Sequence, residues 1–595
     1  MGDALYISRQ GELGKVLRNP TRFLAGIDVA VLDFDASSDP LAETLARTIP
    51  VRAVGGGADA RVTEMPLMEL RIRSERLVGL IGKMLRGFSA IADHQLSTTT
   101  LVALLVDRVA GRLRRAIRIR ELCIGAGAGR LLLVHPASMG PDIIRFLSVG
   151  GLPVGTSEGA SAIDVAPLYM PDTLSTLACP PLAEVLASRS AETIDLYVSA
   201  AHSDLYLLSV LPVLRHTLEH RPAILVLPVE FDISHKAKKL SLQHHLLSGR
   251  LRVVGRTRIN CESVNNGPIW LREHFARVLL AYSAEPDSDE GAVLRGLLAE
   301  AAAQRLMPMI HLSATIQRQI LPYLSRIASV VAAPGRLAEA MALVDVASVY
   351  GVPTYEIQAG PISARRALPP NARRVFCIDD VSLRTYRDRF HVAAERLTVS
   401  GSPRIQELVA PWRRVSTSRA QALLGKKMQL NRRVLLLLAT QPVGVPLCSA
   451  IVSIVLAACA HRPDVQVIVR PHPSEGADYI RAYEQLLAKE DGAVLAPGNI
   501  DPYLLLRASN WLVTYASTMG LEASELRIPV VVVNPVATRP PYDLAAGGLA
   551  TEVRDADALL EALQHSHKPD AKRRGSLDAA NSIAMEILSS AGGNP

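Results

Sequence analysis

Two basic residues, Arg470 and His472, are the clearest candidates for ligand binding in the sequence, and His472 has a proline on each side. The segment VIVRPHPSE spans residues 467–475, and its apolar run predicts a strand that ends in Arg470. Because proline on both sides fixes the backbone around His472, both basic side chains are expected at the carboxyl edge of a sheet. There an imidazole can donate to a phosphate or stack near a base, and a guanidinium can add a charge-assisted hydrogen bond. The pattern favours a nucleotide site formed by Arg470, His472 and Pro473; the alternative is an ordinary loop histidine.

A second segment carries hydroxyl side chains suited to a phosphate. In WLVTYASTMGLEASELRIPVVVV (511–533) a strand is predicted to end at Thr514, and Ser517 and Thr518 stand where the next helix begins. Hydroxyls and free backbone N–H groups at a helix N-terminus bind anions. Glu522 follows Thr518 by one helical turn, so its carboxylate can reach the same ligand and accept from ribose hydroxyls. The alternative is a simple helix cap with an acidic first turn.

Together these segments resemble the nucleotide-binding half of GT-B-fold glycosyltransferases. The likeness lies in GSPR (401–404), RPHP (470–473), DPYLLLRASNWLVTYAST (501–518) and the STxxxEA pattern from Ser517 to Ala523. It is strongest to bacterial surface-polysaccharide enzymes: capsule-type sialyl- and Kdo-transferases that use CMP-sugars, CDP-glycerol glycerophosphotransferases, and the UDP-GlcNAc 2-epimerase superfamily. In the CMP-sugar enzymes an HP pair contacts the cytidine nucleotide and a Ser-Ser or Ser-Thr pair holds its phosphate. The resemblance implies these roles for His472-Pro473 and Ser517-Thr518, and it implies no bound metal or other cofactor.

The catalytic base is less apparent. The segment VPTYEIQAG (352–360) resembles a part of these families in which a strand runs into a glycine that often follows a histidine, but here Ala359 stands in that place. His202 and Asp204, after the predicted strand IDLYVSA, and Glu356 are the remaining candidates. A base must lie within about 3 Å of the hydroxyl it deprotonates, so sequence alone leaves capping or surface roles open for all three.

We expect the chain to be a glycosyltransferase that moves a CMP-linked nonulosonic or Kdo-like acid from its nucleotide to a bacterial surface glycan or glycolipid. Two alternatives keep the fold but change the reaction: phosphotransfer from CDP-glycerol or CDP-ribitol, and epimerisation of UDP-GlcNAc. No equivalent of the epimerases' N-terminal catalytic acids was found, which disfavours the second. A non-catalytic protein that retains a nucleotide-sugar cleft is a further alternative, since Ala359 stands where a histidine is common.

Apolar runs that alternate with helical patterns define the elements that must position these residues. Nearly uninterrupted apolar strands between helices predict parallel sheets covered on both faces, so the fold class is α/β. One series of strands runs from about 194 to 378, and LTVSGSPR (397–404) opens a second. We therefore predict an N-terminal α/β accessory region (1–190), a Rossmann-like acceptor domain (191–400) and a Rossmann-like nucleotide-sugar domain with a C-terminal helix (401–595), the last two facing a cleft.

Composition excludes several classes of protein. Of 595 residues 49% are hydrophobic and 21% charged, which is typical of globular proteins and not of disordered or collagen-like chains. The net charge of +8 allows anionic partners, but 4% aromatic residues disfavour single-stranded nucleic acid. The six cysteines show no CxxC pair, so we expect buried thiols in a reduced, cytoplasmic protein. Val434 to Ala460 carries no charge, but QPVGVP (441–446) divides it, which predicts a strand and a helix instead of a membrane span.

A basic amphipathic helix is predicted at 107–120 in the accessory region. DRVAGRLRRAIRIR contains six arginines and one acid, with apolar residues at helical spacing. Such a helix can dock on anionic lipid at the inner membrane or hold an acidic glycan, and the alternative is a solvated face packed on its own domain.

Overall fold

The computed structural model describes residues 194–199, 204–226, 243–254, 316–333, 338–360, 370–536, 542–565 and 578–590, together with shorter stretches elsewhere. The described strands form three large sheets and one two-stranded sheet. In each large sheet the first strand lies in the interior, and later strands extend first one side and then the other. This is the strand order of a doubly wound, Rossmann-like sheet. The predicted α/β fold class is confirmed.

The first sheet lies within the N-terminal region. Its elements are β1 (Gly2–Ile7), α1 (Gln10–Arg18), β2 (Ile27–Leu32), β3 (Val51–Ala53), β4 (Ala128–Leu133), β5 (Val154–Thr156) and β6 (Gly159–Ala162). The order is β3-β2-β1-β4-β5-β6, and these strand pairs are parallel apart from β5 with β6. The N-terminal region therefore carries a doubly wound sheet of its own.

Little of the predicted basic helix is described. Within 107–120 the structure describes Val109, Ala116 and Ile119, which are helical and buried. Their spacing places these three residues on one face, and that face packs inside the protein. The arginines that would meet a membrane or an acidic glycan lie outside the described residues.

The second sheet begins near residue 194. Its elements, with the small β7/β11 pair beside it, are β7 (Ala178–Cys179), α2 (Leu182–Ala187), β8 (Ile194–Ser199), α3 (Asp204–Leu218), β9 (Ala223–Val226), α4 (Gln243–Leu247), β10 (Leu251–Val254), β11 (Thr257–Arg258), a 3-10 turn (Leu321–Arg326), β12 (Ile327–Ala333), α5 (Ala338–Val349), β13 (Thr354–Ile357), β14 (Arg374–Cys377), α6 (Asp380–Arg384), a π turn (Thr385–Arg389), a 3-10 turn (Ala394–Arg396) and β15 (Leu397–Val399). The order is β10-β9-β8-β12-β13-β14-β15, and these seven strands are parallel. The apolar segment MPMIHL (307–312), which has the pattern of a further strand in this series, lies outside the described residues. β15 pairs with β14, so the first three residues of LTVSGSPR complete this sheet, whereas its last two begin the next helix.

The third sheet holds the two segments with predicted nucleotide contacts. Its elements are α7 (Pro403–Arg413), α8 (Thr417–Leu424), β16 (Val434–Ala439), α9 (Val445–Ala460), β17 (Val465–Arg470), α10 (Ala477–Leu487), β18 (Ala493–Leu495), α11 (Pro502–Ala508), β19 (Trp511–Thr514), α12 (Met519–Glu525), β20 (Val530–Val533), β21 (Thr551–Val553), α13 (Ala556–His565) and α14 (Ala579–Ser590). The order β18-β17-β16-β19-β20-β21 is parallel throughout. The strand and helix predicted from the uncharged stretch 434–460 are both present. Within the described residues, no helix combines the length and apolar composition needed to cross a membrane.

The last helix, α14, returns to the second sheet. Ile583 and Ile587 are fully buried in one core with α3 and with the stacked rings of Tyr355 and Phe376. The ion pair Arg374–Glu586, at 2.6 Å, fastens the same helix. A sequence-based boundary at 401 assigns this helix to the third unit because it follows that unit along the chain, whereas packing places it with the second.

The second and third sheets also touch near their carboxyl edges. Asp379 follows β14, and its carboxylate accepts a hydrogen bond from the hydroxyl of Tyr542, a residue beyond the end of β20. The guanidinium of Arg384 donates to the carbonyl of Ala546 at 3.0 Å. These contacts therefore join residues that follow the carboxyl ends of β14 and β20.

Candidate functional site

The carboxyl end of the third sheet has the topology of a ligand site. β16 lies between β17 and β19, and the helices that follow β16 and β19 pack on opposite faces. α9 covers the face that carries Leu436 and Leu438, whereas α12 covers the face that carries Leu435 and Leu437. Because the two helices leave in opposite directions, a crevice opens beyond the ends of these strands.

The loop after β17 is fixed by a carboxylate to which the sequence assigned no role. One oxygen of Glu475, Oε2, accepts from the hydroxyl of Thr440 at 2.7 Å and from the backbone N–H of His472 at 2.8 Å. The other, Oε1, accepts from the hydroxyl of Tyr483 at 2.9 Å. Glu475 therefore ties the end of β16, the Pro-His-Pro turn and α10 together, and it holds the imidazole at the sheet edge.

The imidazole of His472 has a defined protonation. Its Nδ1 accepts from the backbone N–H of Ser474 at 3.1 Å, so the neutral ring carries its proton on Nε2. Burial lowers the pKa of His472, an effect that Glu475 opposes and Arg470 reinforces. The ring is therefore neutral at pH 7, with one N–H to offer to a ligand. Pro473, the other half of the predicted pair, is exposed at this edge.

Arg470 is half-buried, and its guanidinium lacks strong hydrogen-bond acceptors among the described residues. Its Nη1 donates to the thioether of Met519 at 3.6 Å, and within the described residues no oxygen accepts from its guanidinium. A thioether is a weak acceptor, so most of the donor capacity of this guanidinium is free. Since Met519 is the first residue of α12, this contact brings the two predicted segments together.

The turn from β19 into α12 presents hydroxyls beside that guanidinium. Ser517 is buried, its backbone N–H donates to the hydroxyl of Thr514 at 3.2 Å, and its own hydroxyl oxygen accepts from Met519 N at 3.2 Å. The hydroxyl proton of Ser517 stays available for a ligand. Thr518 makes no capping hydrogen bond with its side chain. Gly520 is needed here because an added Cβ would lie 2.3 Å from a methyl carbon of Leu544.

Glu522 lies behind this turn in a buried, charged setting. Its Oε1 is 3.6 Å from Nη1 of Arg404, and both side chains are about nine-tenths buried. Burial raises the pKa of Glu522, whereas Arg404, Arg470 and a hydrogen bond with Tyr503 lower it. The carboxylate therefore faces two guanidinium groups and one phenol at the edge of the proposed site.

The structure describes the three predicted catalytic residues only in part. His202 lies outside the described residues. Asp204 is the first residue of α3, but its side chain is not described. Glu356 lies within β13, is 3% exposed, and is close enough to Arg396 and Cys377 to influence their pKa values. These three assignments stay predictions.

Gln358 directly follows β13 and is a buried polar residue to which the sequence analysis gave no role. Its amide donates to the hydroxyl of Ser382 at 2.8 Å, and its carbonyl accepts from Ile378 N at 3.1 Å. Ala359, at the position where the resemblance led us to look for a histidine, is buried. Gln358 thus connects the strand to α6, whose cap Asp379 contacts the third unit.

The described residues contain no group of three His, Cys, Asp or Glu side chains arranged to hold a metal ion. The groups that this edge presents to an anion are the positive guanidinium of Arg470 and the neutral donors of His472, Ser517 and Thr518.

Most residues of the candidate site lie in a segment of the chain that matches a protein family. Residues 443–572 match the family described as "Capsule polysaccharide biosynthesis protein". The match covers about a fifth of the chain and includes Arg470, His472, Ser517 and Glu522, while Arg404 lies outside it. No curated protein matches the sequence.

Several solved structures are similar over two thirds of the chain. UDP-GlcNAc 2-epimerase from Methanocaldococcus jannaschii shares 12% identity, covers 67% of this chain and 99% of its own, and gives a TM-score of 0.41. The Neisseria meningitidis UDP-GlcNAc 2-epimerase bound to UDP-GlcNAc has the same identity and coverages with a TM-score of 0.40. The Anabaena protein HepE in complex with UDP and glucose shares 12% identity over 67% of this chain and 97% of its own, with a TM-score of 0.36. Similarity at this level does not identify a reaction.

Proposed function

We propose that the chain is a nucleotide-sugar-dependent glycosyltransferase of capsule polysaccharide biosynthesis, with a CMP-linked acidic sugar as donor. The observation that carries the proposal is the unsatisfied guanidinium of Arg470 beside the Ser517-Thr518 turn, at the strand switch point of a Rossmann-like sheet. The capsule-family match over the same residues supports the biological setting. The His-Pro and Ser-Thr pairs, which resemble those of CMP-sugar enzymes, favour CMP over UDP.

The chemistry follows from where charge develops. When the bond between the anomeric carbon and the phosphate breaks, negative charge grows on the leaving phosphate. Preorganised donors aimed at that charge stabilise the transition state more than the ground state. Arg470, Nε2–H of His472 and the hydroxyls of Ser517 and Thr518 supply these donors. Since His472 is neutral, it stabilises the phosphate as a hydrogen-bond donor without adding charge.

The second unit would supply the acceptor side of the reaction. The acceptor is a surface glycan or glycolipid, and its hydroxyl must lose a proton to His202, Asp204 or Glu356, the candidates on this unit. The contact between Asp379 and Tyr542 holds the two sheet edges near each other, which is where donor and acceptor would meet. Attachment to the inner membrane through 107–120 remains a prediction.

Replacing His472 by Ala tests the site directly. The variant is expected to bind CMP about tenfold more weakly, because one hydrogen bond to a charged phosphate is lost. Isothermal calorimetry measures the affinity, and thermal unfolding shows whether the fold is retained. His461→Ala is the matched control: this exposed residue lies before the amino end of β17, away from the proposed phosphate, so CMP affinity should be unchanged. Equal affinity in wild type and His472→Ala would refute the assignment.

A further inference from the structure

Arg404 occupies an unusual position for a buried arginine. It is the second residue of α7, directly after the link between the second and third units, where Gly401 has a φ of 85°. The hydroxyl of Ser402 caps this helix by accepting from Ile405 N at 3.3 Å. Arg404 is only 8% exposed, so its guanidinium is held inside the protein by a short, capped segment.

The contact of Arg404 with Glu522 is an incomplete ion pair. Nη1 lies 3.6 Å from Oε1 of Glu522, too far for a normal hydrogen bond, and Nε of Arg404 has no partner among the described residues. A buried pair stabilises a fold only when hydrogen bonds satisfy the remaining donors and acceptors. This pair leaves Arg404 with spare donor capacity, which suits a ligand site better than a structural tie.

A second pair between the same two helices provides the contrast. Arg413, in the last turn of α7, contacts Glu525 of α12 at 2.6 Å in a more exposed position. This pair has normal hydrogen-bond geometry and can fasten the two helices without Arg404. The contact between α7 and α12 therefore includes a complete ion pair that does not involve Arg404.

The groups around Glu522 determine its charge. Arg404 on α7 and Arg470 at the end of β17 face it as cations, Tyr503 on α11 is hydrogen-bonded to it, and Asp501 lies near Tyr503 and Arg470. Burial raises the pKa of Glu522, and Arg404 is the leading charge that opposes this rise. The two guanidinium groups thus favour the ionised form of this carboxylate against the effect of burial.

We propose that Arg404 is a positioning residue that keeps Glu522 ionised and aligned, so that this carboxylate accepts hydrogen bonds from the ribose hydroxyls of the donor nucleotide. The inference rests on the proposed function and adds to it a residue outside both nucleotide-binding segments and outside the family match.

The test is the pH dependence of CMP affinity in Arg404→Met. Without the cation the pKa of Glu522 rises further, so part of the population is protonated near neutral pH and cannot accept from both hydroxyls. Affinity at pH 7 should fall about tenfold, and it should recover as the pH is raised toward about 9 because the carboxylate ionises again. Over the same range the wild type should show a flat profile. Calorimetry gives the affinities, and thermal unfolding gives the fraction folded.

Three further variants separate positioning from stability. Glu522→Gln should lose CMP affinity without gaining pH dependence, and adding Arg404→Met to it should cause no further loss, since Arg404 acts through Glu522. Arg404→Lys keeps the charge and should keep the flat profile, and it can be measured even if the Met variant does not fold. Arg413→Met, the matched control on the same two helices, should leave both affinity and profile unchanged.

The possible results distinguish a failure of this inference from a failure of the proposed function. If the wild type binds CMP and Arg404→Met shows the same affinity and a flat pH profile, this inference is wrong but the proposed function stands. An additive loss of affinity in the double variant would have the same meaning. A pH-dependent profile in Arg404→Lys equal to that of the Met variant also overturns it. If the wild type binds no CMP at any pH, the proposed function fails and this inference fails with it.

Discussion

Arg470→Met is expected to weaken CMP binding roughly 100-fold, which corresponds to about 2.7 kcal/mol. The guanidinium is half-buried, and the acceptor it finds among the described residues is the thioether of Met519. It therefore has nearly all of its donors and its charge available for a phosphate, and charge-assisted hydrogen bonds to phosphate are strong. Methionine replaces the length and apolar stem of the side chain, so the fold should be retained. Calorimetry on the purified variant measures the loss.

Arg462→Met is the matched control for this effect. Arg462 lies just before the amino end of the same strand, β17, where it pairs with Asp464 at 2.8 Å. Its removal changes the net charge of the protein by the same amount but leaves the carboxyl edge intact. CMP affinity should stay at the wild-type value. A similar loss in both variants would mean that overall charge, and not a local contact, attracts the nucleotide.

Ile583→Ala is expected to destabilise the second unit by about 2–5 kcal/mol. Ile583 lies on α14, is fully buried, and belongs to the core formed with α3 and the second sheet. Truncation removes apolar burial and leaves a cavity between the helix and the sheet. Denaturant unfolding followed by circular dichroism measures the change, which should appear in the transition of the second unit if the two units unfold separately.

Met585→Ala tests whether packing on the second unit, and not helix propensity, explains that result. Met585 lies two residues away on the same helix and is 56% exposed, so its replacement should change stability by no more than about 0.5 kcal/mol. Comparable losses in the two variants, or no loss in Ile583→Ala, would contradict the packing of α14 against the second sheet.

The sequence predicts the strands of the third sheet well. β16 has the predicted limits, and β17 ends at Arg470 as expected, because uninterrupted apolar runs such as VLLLLA are specific to strands buried on both faces. The positions of Arg470 and Ser517 at one edge follow from the same reasoning, since parallel strands end on the same side of a sheet. The local chemistry of the site was therefore accessible from the sequence.

Contacts between distant segments were not accessible. Arg404 was noticed only as part of GSPR, and its ion pair with Glu522 depends on how α7 packs against α12. Glu475 stood in the quoted segment, but its bonds to Thr440 and Tyr483 arise from strand order and from the placement of α10. The packing of α14 against the second unit was also not predictable. The sequence shows that this helix has an apolar face, but not which hydrophobic core that face joins.

The most direct test of the account is a calorimetric titration of the full chain with CMP, with UDP and CDP titrated in parallel. We expect CMP to bind saturably at one site and more tightly than either UDP or CDP. Tight UDP binding without CMP binding, or no binding of any of the three nucleotides, would contradict it.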